Sequence, residues 1–233
     1  MGNNLLSIDW DYFISLDNKN CVSTIENKKT VNDLWYKRYF QFKSEGKDLQ
    51  KRYQLSEEAD KFWGKMKKIF EFDSHVHIFV SDSHALSYKI AQMYNCDNVY
   101  LFDAHSDLGY GGLPSLEFEL NCANWLGKLL KNKKVKEAHI IYGPYTAEKP
   151  ENFQQMNELY HIEYPTINDL DEKTKISAIH ICRSGAWTPP WLDGKFIEFI
   201  RKIGFSYTMT ECLKRNWNPT ALTYADQLQY LMT

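Results

Sequence analysis

Several features are scarce in this chain of 233 residues, and each scarcity excludes a class of protein. No apolar run approaches the roughly 20 residues that a membrane-spanning helix needs, and no basic region precedes the first apolar segment at Leu5. An integral or exported protein is therefore not expected. Met1-Gly2 begins like an acylation signal, but position 6 is Leu where that signal requires Ser or Thr. The five cysteines, Cys21, Cys96, Cys122, Cys182 and Cys212, are odd in number, widely spaced and without a C-x-x-C pair. That argues for a reduced, cytoplasmic setting. Positive charge is not in excess either: 28 Lys and Arg stand against 30 Asp and Glu, so no nucleic-acid partner is expected. Repeats, linkers and low-complexity segments are absent, which leaves residues 1–233 as one domain.

What the chain does hold is apolar and aromatic side chains, 43% and 15% of residues, enough for a substantial core. Strand-length apolar runs recur at Leu5–Ile8, Val76–Val80, Val99–Phe102, Ala138–Tyr142, Tyr160–Tyr164 and Ala178–Cys182. Between them, Leu55–Phe70, Ala85–Tyr94, Asn121–Lys131 and Gly194–Ile203 show helical periodicity. This alternation predicts an α/β fold, a three-layer α/β/α arrangement around a mainly parallel sheet. The Lys-rich stretches Lys43–Lys51 and Lys128–Lys136 read as solvated faces or turns.

Ligands of open α/β sheets gather at the carboxyl ends of the strands, so polar residues that follow an apolar run carry the functional information. Three segments qualify. Val99-Tyr-Leu-Phe ends in Asp103-Ala-His105-Ser-Asp107, and alternation puts Asp103 and His105 on one face if the strand reaches them. Leu5-Leu-Ser-Ile ends in Asp9-Trp-Asp11, and His77-Ile-Phe-Val-Ser ends in Asp82-Ser-His84 before a helix. Each Asp alone could cap a helix or open a turn. Together they would leave too many buried carboxylates unpaired, and a mixed carboxylate and imidazole set suits Mn²⁺, Fe²⁺ or Zn²⁺ better than Ca²⁺.

These residues resemble those of the arginases and agmatinases. Asp103-Ala-His105-Ser-Asp107 is similar to their Asp-Ala-His-x-Asp signature, Ser7-Ile-Asp9-Trp-Asp11 to their Ser-x-Asp-x-Asp signature, and Asp82-Ser-His84 more loosely to their Gly-Gly-Asp-His segment. In those enzymes the Asp-x-Asp strand comes last, whereas here it comes first, as in a circularly permuted relative. Asn121-Cys-Ala-Asn124-Trp125-Leu-Gly and Ser184-Gly-Ala-Trp187-Thr-Pro-Pro190-Trp-Leu-Asp193 add similarity to bacterial peptide arginases.

The resemblance implies an arginase-like sheet and two divalent metal ions, manganese by the family's habit. Asp9 and Asp103 would bridge them, His84 and Asp107 would complete one site, and Asp11 and His105 the other. It also implies an activity: hydrolysis of arginine side chains in a ribosomally made precursor peptide to ornithine and urea, by a hydroxide held between the metals. Asp107, Asn121 and Asn124 are the candidate catalytic residues, and Asn121, Asn124, Trp125 and Trp187 the candidate substrate contacts. Helix capping competes for the asparagines, and core packing for the tryptophans, Trp191 included. The family's catalytic histidine has no counterpart in Leu120–Asn124, so the proton shuttle is unassigned.

Alternatives are hydrolysis of free arginine or another small guanidino compound, a zinc deacetylase of the same fold, and a peptide-binding module without turnover. A rival metal pair, His75-Val-His77, precedes Ile78–Val80 and is expected at the amino end of its strand, away from the other ligands. His139, His161 and His180 read as structural, Arg183-Ser184 as a rim contact, and Cys122 lacks the neighbours a nucleophile needs.

Overall fold

Alternation along the first strand sorts the core into two faces. β1 (Asn3–Asp9) sends Leu6 and Ile8 into one apolar cluster and Leu5 into another, and all of its residues after Asn3 are buried. A strand covered on both sides belongs in the middle of a parallel sheet. The computed structural model describes residues 2–15, 30–170 and 173–232, and Cys21 lies outside them. Beyond β1 the strands are β2 (Ile14–Ser15), β3 (Gln54–Leu55), β4 (Phe70–Ser81), β5 (Cys96–Asp103), β6 (Glu137–Tyr142), β7 (His161–Glu163), β8 (Thr174–Cys182) and β9 (Thr208–Met209). Seven of them form one sheet in the order β7-β6-β5-β1-β8-β4-β9. Every described pairing in it is parallel, while β2 and β3 pair antiparallel outside it.

The helices are α1 (Val31–Ser44), α2 (Glu58–Ile69), α3 (Leu86–Met93), α4 (Trp125–Lys131), α5 (Gln154–Leu159), α6 (Asp193–Lys202) and α7 (Tyr224–Met232). Phe62 and Met66 of α2 and Phe196 and Phe199 of α6 pack with Leu6, Ile8 and Phe102 on one face. Ile90 of α3, Trp125 and Leu129 of α4 and Met156 of α5 pack with Leu5, Val99 and Leu101 on the other. The result is the expected three-layer α/β/α fold. β5, β6 and β7 step outward through α4 and α5 on one face, whereas β8 leads to β9 through α6 on the opposite face. The reversal falls at β1, which opens a crevice at the carboxyl ends of the central strands.

Elements differ from expectation where periodicity is blurred. α1 buries Trp35, Tyr36, Arg38 and Phe40 and half-buries their neighbours, so no clean stripe marks it in the sequence. Its aromatic rings stack with the C-terminal region, Tyr36 on Trp217 at 4.7 Å and on Tyr230 at 5.4 Å. The Lys43–Lys51 stretch closes α1 and the turn after it, yet Leu49 within it is buried. β4 begins at Phe70, so His75 and His77 lie inside the strand instead of opening it; a register irregularity separates Phe72 from His77. The His77 side chain is exposed and sits against Tyr94, well before the strand tip at Ser81. Among the described residues, the cysteines form no disulfide, and no helix is long and apolar enough to cross a membrane.

Candidate metal centre

Two strand tips and one helix start converge on a single cluster, and local turns aim its side chains. Asp9 ends β1, and its Oδ1 accepts the N–H of Asp11 at 3.1 Å, which folds the chain into the tight turn Trp10–Phe13. β5 stops at Asp103 and does not continue to His105 as alternation suggested. Asp103 Oδ1 instead accepts the His105 N–H at 2.8 Å, so an Asx turn swings His105 back over the tip. Asp107 adopts a left-handed φ of 51°, unusual for a residue with a side chain. Its carbonyl takes the N–H groups of Leu126 and Gly127, both at 3.2 Å, so the first turn of α4 pins it. Gly127 permits this approach: a Cβ there would lie 2.4 Å from the Leu108 carbonyl oxygen. His84 precedes α3 by two residues.

The six expected ligands come together. His84 Nδ1 stands 3.2 Å from Asp9 Oδ2, 3.1 Å from Asp103 Oδ2 and 2.9 Å from Asp107 Oδ2. His105 Nδ1 stands 3.0 Å from Asp11 Oδ2 and 3.4 Å from Asp103 Oδ1. Two groups with metal-holding geometry result, Asp9–His84–Asp103 and Asp11–Asp103–His105, and Asp103 belongs to both. Asp9, placed as a bridge by resemblance, is grouped only with the His84 side. The His105 side chain is 30% exposed, while those of the other ligands are at most 7% exposed, so access is from the His105 side.

Electrostatics shows what the cluster lacks. Burial pushes Asp103 well above the ordinary carboxylate range, and Asp11, Asp107 and Asp9 push it further. Burial and then Asp11 also raise Asp9, whereas at Asp11 burial is outweighed by His105, which holds it low. Burial opposes charge on both histidines, yet the surrounding carboxylates raise His84 and His105 well above an ordinary histidine. His84 Nδ1 and Asp103 Oδ2 are fully buried and stand 3.1 Å apart without an aligned hydrogen bond, and two more carboxylate oxygens crowd that nitrogen. Unpartnered buried acceptors of this kind are costly unless a cation joins them. The donor set, carboxylate and imidazole, fits a first-row divalent metal.

Outer contacts fix the ligands. Trp125 is fully buried and its Nε1–H donates to Asp107 Oδ2 at 2.6 Å, with its ring 5.0 Å from that of His84. It is therefore a support for the cluster and not part of a substrate groove. Trp187 is half-buried, 6.4 Å from the His105 ring, at the accessible edge. Trp191 packs in the core against Trp35 and Tyr53. Asn124 accepts from the Asn121 N–H at 2.9 Å and donates to the Ser115 and Glu119 carbonyls; Asn121 bonds Ala123 N–H and the Glu119 carbonyl. Both amides are thus engaged with the backbone of their own loop and give no support to a catalytic or substrate role. Asp82 turns away from the cluster into a bidentate pair with Arg183, both bonds 2.5 Å, and Arg183 is buried, not at the rim. Its neighbour Ser184, also buried, donates its hydroxyl to Asp9 Oδ2.

One group carries no motif. Glu148, six residues past the tip of β6, accepts from the Ser106 N–H and hydroxyl with Oε2, each at 2.8 Å, and from the Tyr110 hydroxyl with Oε1. It thereby straps the loop between His105 and Asp107. Burial holds its carboxyl above the usual range. Glu148 and Glu151, with the loop Gly109–Gly112 and Phe153, line a cleft of about 620 Å³ beside the ligand loop. Only the rule that polar residues beyond strand tips carry function could have signalled it. No family model, curated protein or solved structure matches this chain.

Proposed function

We propose that this chain is a dinuclear metal hydrolase of the arginase type, converting arginine side chains of a peptide to ornithine with release of urea. The observation that supports this best is the pair of acidic and histidine groups sharing Asp103, with His84 Nδ1 buried among three carboxylates and making no aligned hydrogen bond. Asp9, His84, Asp103 and Asp107 would hold one ion, and Asp11, Asp103 and His105 the other. A pair of divalent ions supplies an activated water and charge stabilisation at neutral pH. Manganese is the ion implied by the resemblance, and the cytoplasm the compartment.

The chain's own groups account for substrate choice. The cleft lined by the loop Gly109–Gly112, which begins two residues after Asp107, holds Glu148 and Glu151, whose charge suits a cationic guanidinium, and its open form suits a peptide. Trp187 offers a flat apolar edge beside His105. Asp107, held by Trp125 through one oxygen, would take up the proton of the attacking water and pass it to the departing ornithine amine.

The test is to incubate Mn²⁺-loaded protein with arginine-containing peptides and with free arginine. A mass loss of about 42 Da per arginine, together with urea, is the expected result. Metal bound with neither change would overturn the reading.

A further inference from the structure

A second histidine lies buried beneath the cluster, out of reach of its carboxylates. Strand alternation places Ser7, His180 and Ser81 on the face that α3 covers, where Ser7 of β1 is directly paired with His180 of β8. Their neighbours on that face, Leu5 and Ala178, are apolar and fully buried. Ser7, Ser87 and His180 are themselves fully buried and Ser81 nearly so, and four polar side chains in such a place must satisfy one another. They do so in one line: Ser81 Oγ is 2.9 Å from His180 Nε2, His180 Nδ1 is 2.6 Å from Ser87 Oγ, Ser87 Oγ is 2.8 Å from Ser7 Oγ, and Ser7 Oγ is 2.7 Å from His84 Nε2.

The line has a fixed direction. Its far end is the Ser83 carbonyl, which only accepts, so the Ser81 hydroxyl donates there, at 2.9 Å. A hydroxyl has one proton, so Ser81 must accept from His180 Nε2–H. His180 meets only hydroxyls and is fully buried, which keeps the ring neutral, so its Nδ1 accepts from Ser87. Ser87 then accepts from Ser7, and Ser7 accepts from His84 Nε2–H. Once a cation displaces any proton from Nδ1, the His84 ring presents that nitrogen's lone pair among the carboxylates.

We infer that His180, Ser87 and Ser81 are positioning residues: anchored on the Ser83 carbonyl, they fix through Ser7 the tautomer in which His84 presents Nδ1 to a metal. The inference rests on the metal reading for its purpose, but the tautomer of His180 does not depend on any metal. Groups that orient a ligating histidine from behind typically change metal affinity roughly 10–100-fold when removed.

The experiment combines long-range proton–nitrogen NMR of histidine-labelled protein, metal-free and Zn²⁺-loaded, with metal titration of Ser87→Ala and Ser87→Thr. His180 should carry its proton on Nε2 in both states, and loaded His84 should do the same. Ser87→Ala should weaken one of the two bound equivalents by roughly 10–100-fold and spare the other, and Ser87→Thr, which restores the hydroxyl, should recover it. A His180 proton on Nδ1 overturns the inference, as does wild-type affinity for both equivalents in a folded Ser87→Ala. Should Ser87→Ala fail to fold, the wild-type tautomer decides. A wild-type protein that takes up no Zn²⁺ or Mn²⁺ sinks the metal reading instead, a result the spectrum of His180 keeps distinct.

Discussion

Two buried charged clusters sit side by side at the carboxyl end of the same sheet, and only one of them is complete. At the tips of β4 and β8, Asp82 pairs bidentately with Arg183, and Asp193 bridges Arg183 at 3.1 Å and Arg215 at 3.0 Å. Remaining guanidinium protons go to the carbonyls of Leu213, Gly185 and Thr188. Two carboxylates meet two guanidinium groups, and the network ties Arg215 and the adjoining C-terminal segment onto the sheet. At the tips of β1 and β5, four carboxylates meet two imidazoles, and among the described residues no Lys or Arg pairs with them. Buried charge is tolerated when paired within the protein or by a bound ion. The first cluster is satisfied by the chain itself; the second calls for a cation from outside.

The largest expected effect separates the two clusters by substitution. Asp103→Asn and Asp9→Ala should each abolish metal loading and hydrolysis, measured by elemental analysis and urea release. The metal-free variants should melt no lower than the metal-free parent, because each loses a carboxylate that repels its neighbours. Full metal occupancy in either would refute the ligand assignment. Asp82→Ala should do the reverse, destabilising the fold by about 3–5 kcal/mol in chemical denaturation because Arg183 is left buried without its partner, while the folded fraction still takes up metal. If Asp82→Ala were neutral, the contrast between the clusters would collapse.

How much of this was legible in the sequence follows the same division. Asp9, Asp11, Asp103, His105 and Asp107 stand within short runs after apolar strands, and the structure brings them and His84 together. Sequence spacing could not show how they converge: β5 ends before His105, and an Asx turn and a left-handed Asp107 complete the approach. Arg183 read as a rim contact because its partner Asp82 is about a hundred residues away, and local pattern carries no long-range pairing. Asn121 and Asn124 were open between helix capping and substrate contact, and their amides bond backbone groups only two to five residues away. Six of the seven strands of the main sheet showed as apolar runs, whereas α1, wrapped by aromatic neighbours on most sides, had no readable period.

Trp125 gives a smaller, sharper test of what the incomplete cluster needs. Trp125→Phe keeps an aromatic ring in the core but removes the donor to Asp107 Oδ2. Metal affinity on the His84 side should fall roughly 10–100-fold, read by competition with a chelating dye. His77→Ala, on the exposed part of β4, should leave both stoichiometry and affinity unchanged. An equal loss in the two variants would mean that the distinction between support and surface is misdrawn.

The smallest effect is in pH, and it has a definite sign. In the metal-free protein His84 and His105 hold protons more tightly than a free histidine, whose value is 6.5, because the carboxylates outweigh burial. The stability they contribute is fully present below that value and is lost as pH rises through their folded values. Asp9 and Asp103 are also raised, so they too favour the folded chain at low pH; Asp11 is lowered and opposes them. The metal-free protein should therefore lose stability as pH rises above about 6.5. A bound divalent ion replaces those protons, so the difference in melting temperature between loaded and metal-free protein should widen over the same range. Parallel dependence of melting temperature on pH for loaded and metal-free protein would mean that the carboxylate and imidazole cluster is as self-contained as the arginine-paired one beside it.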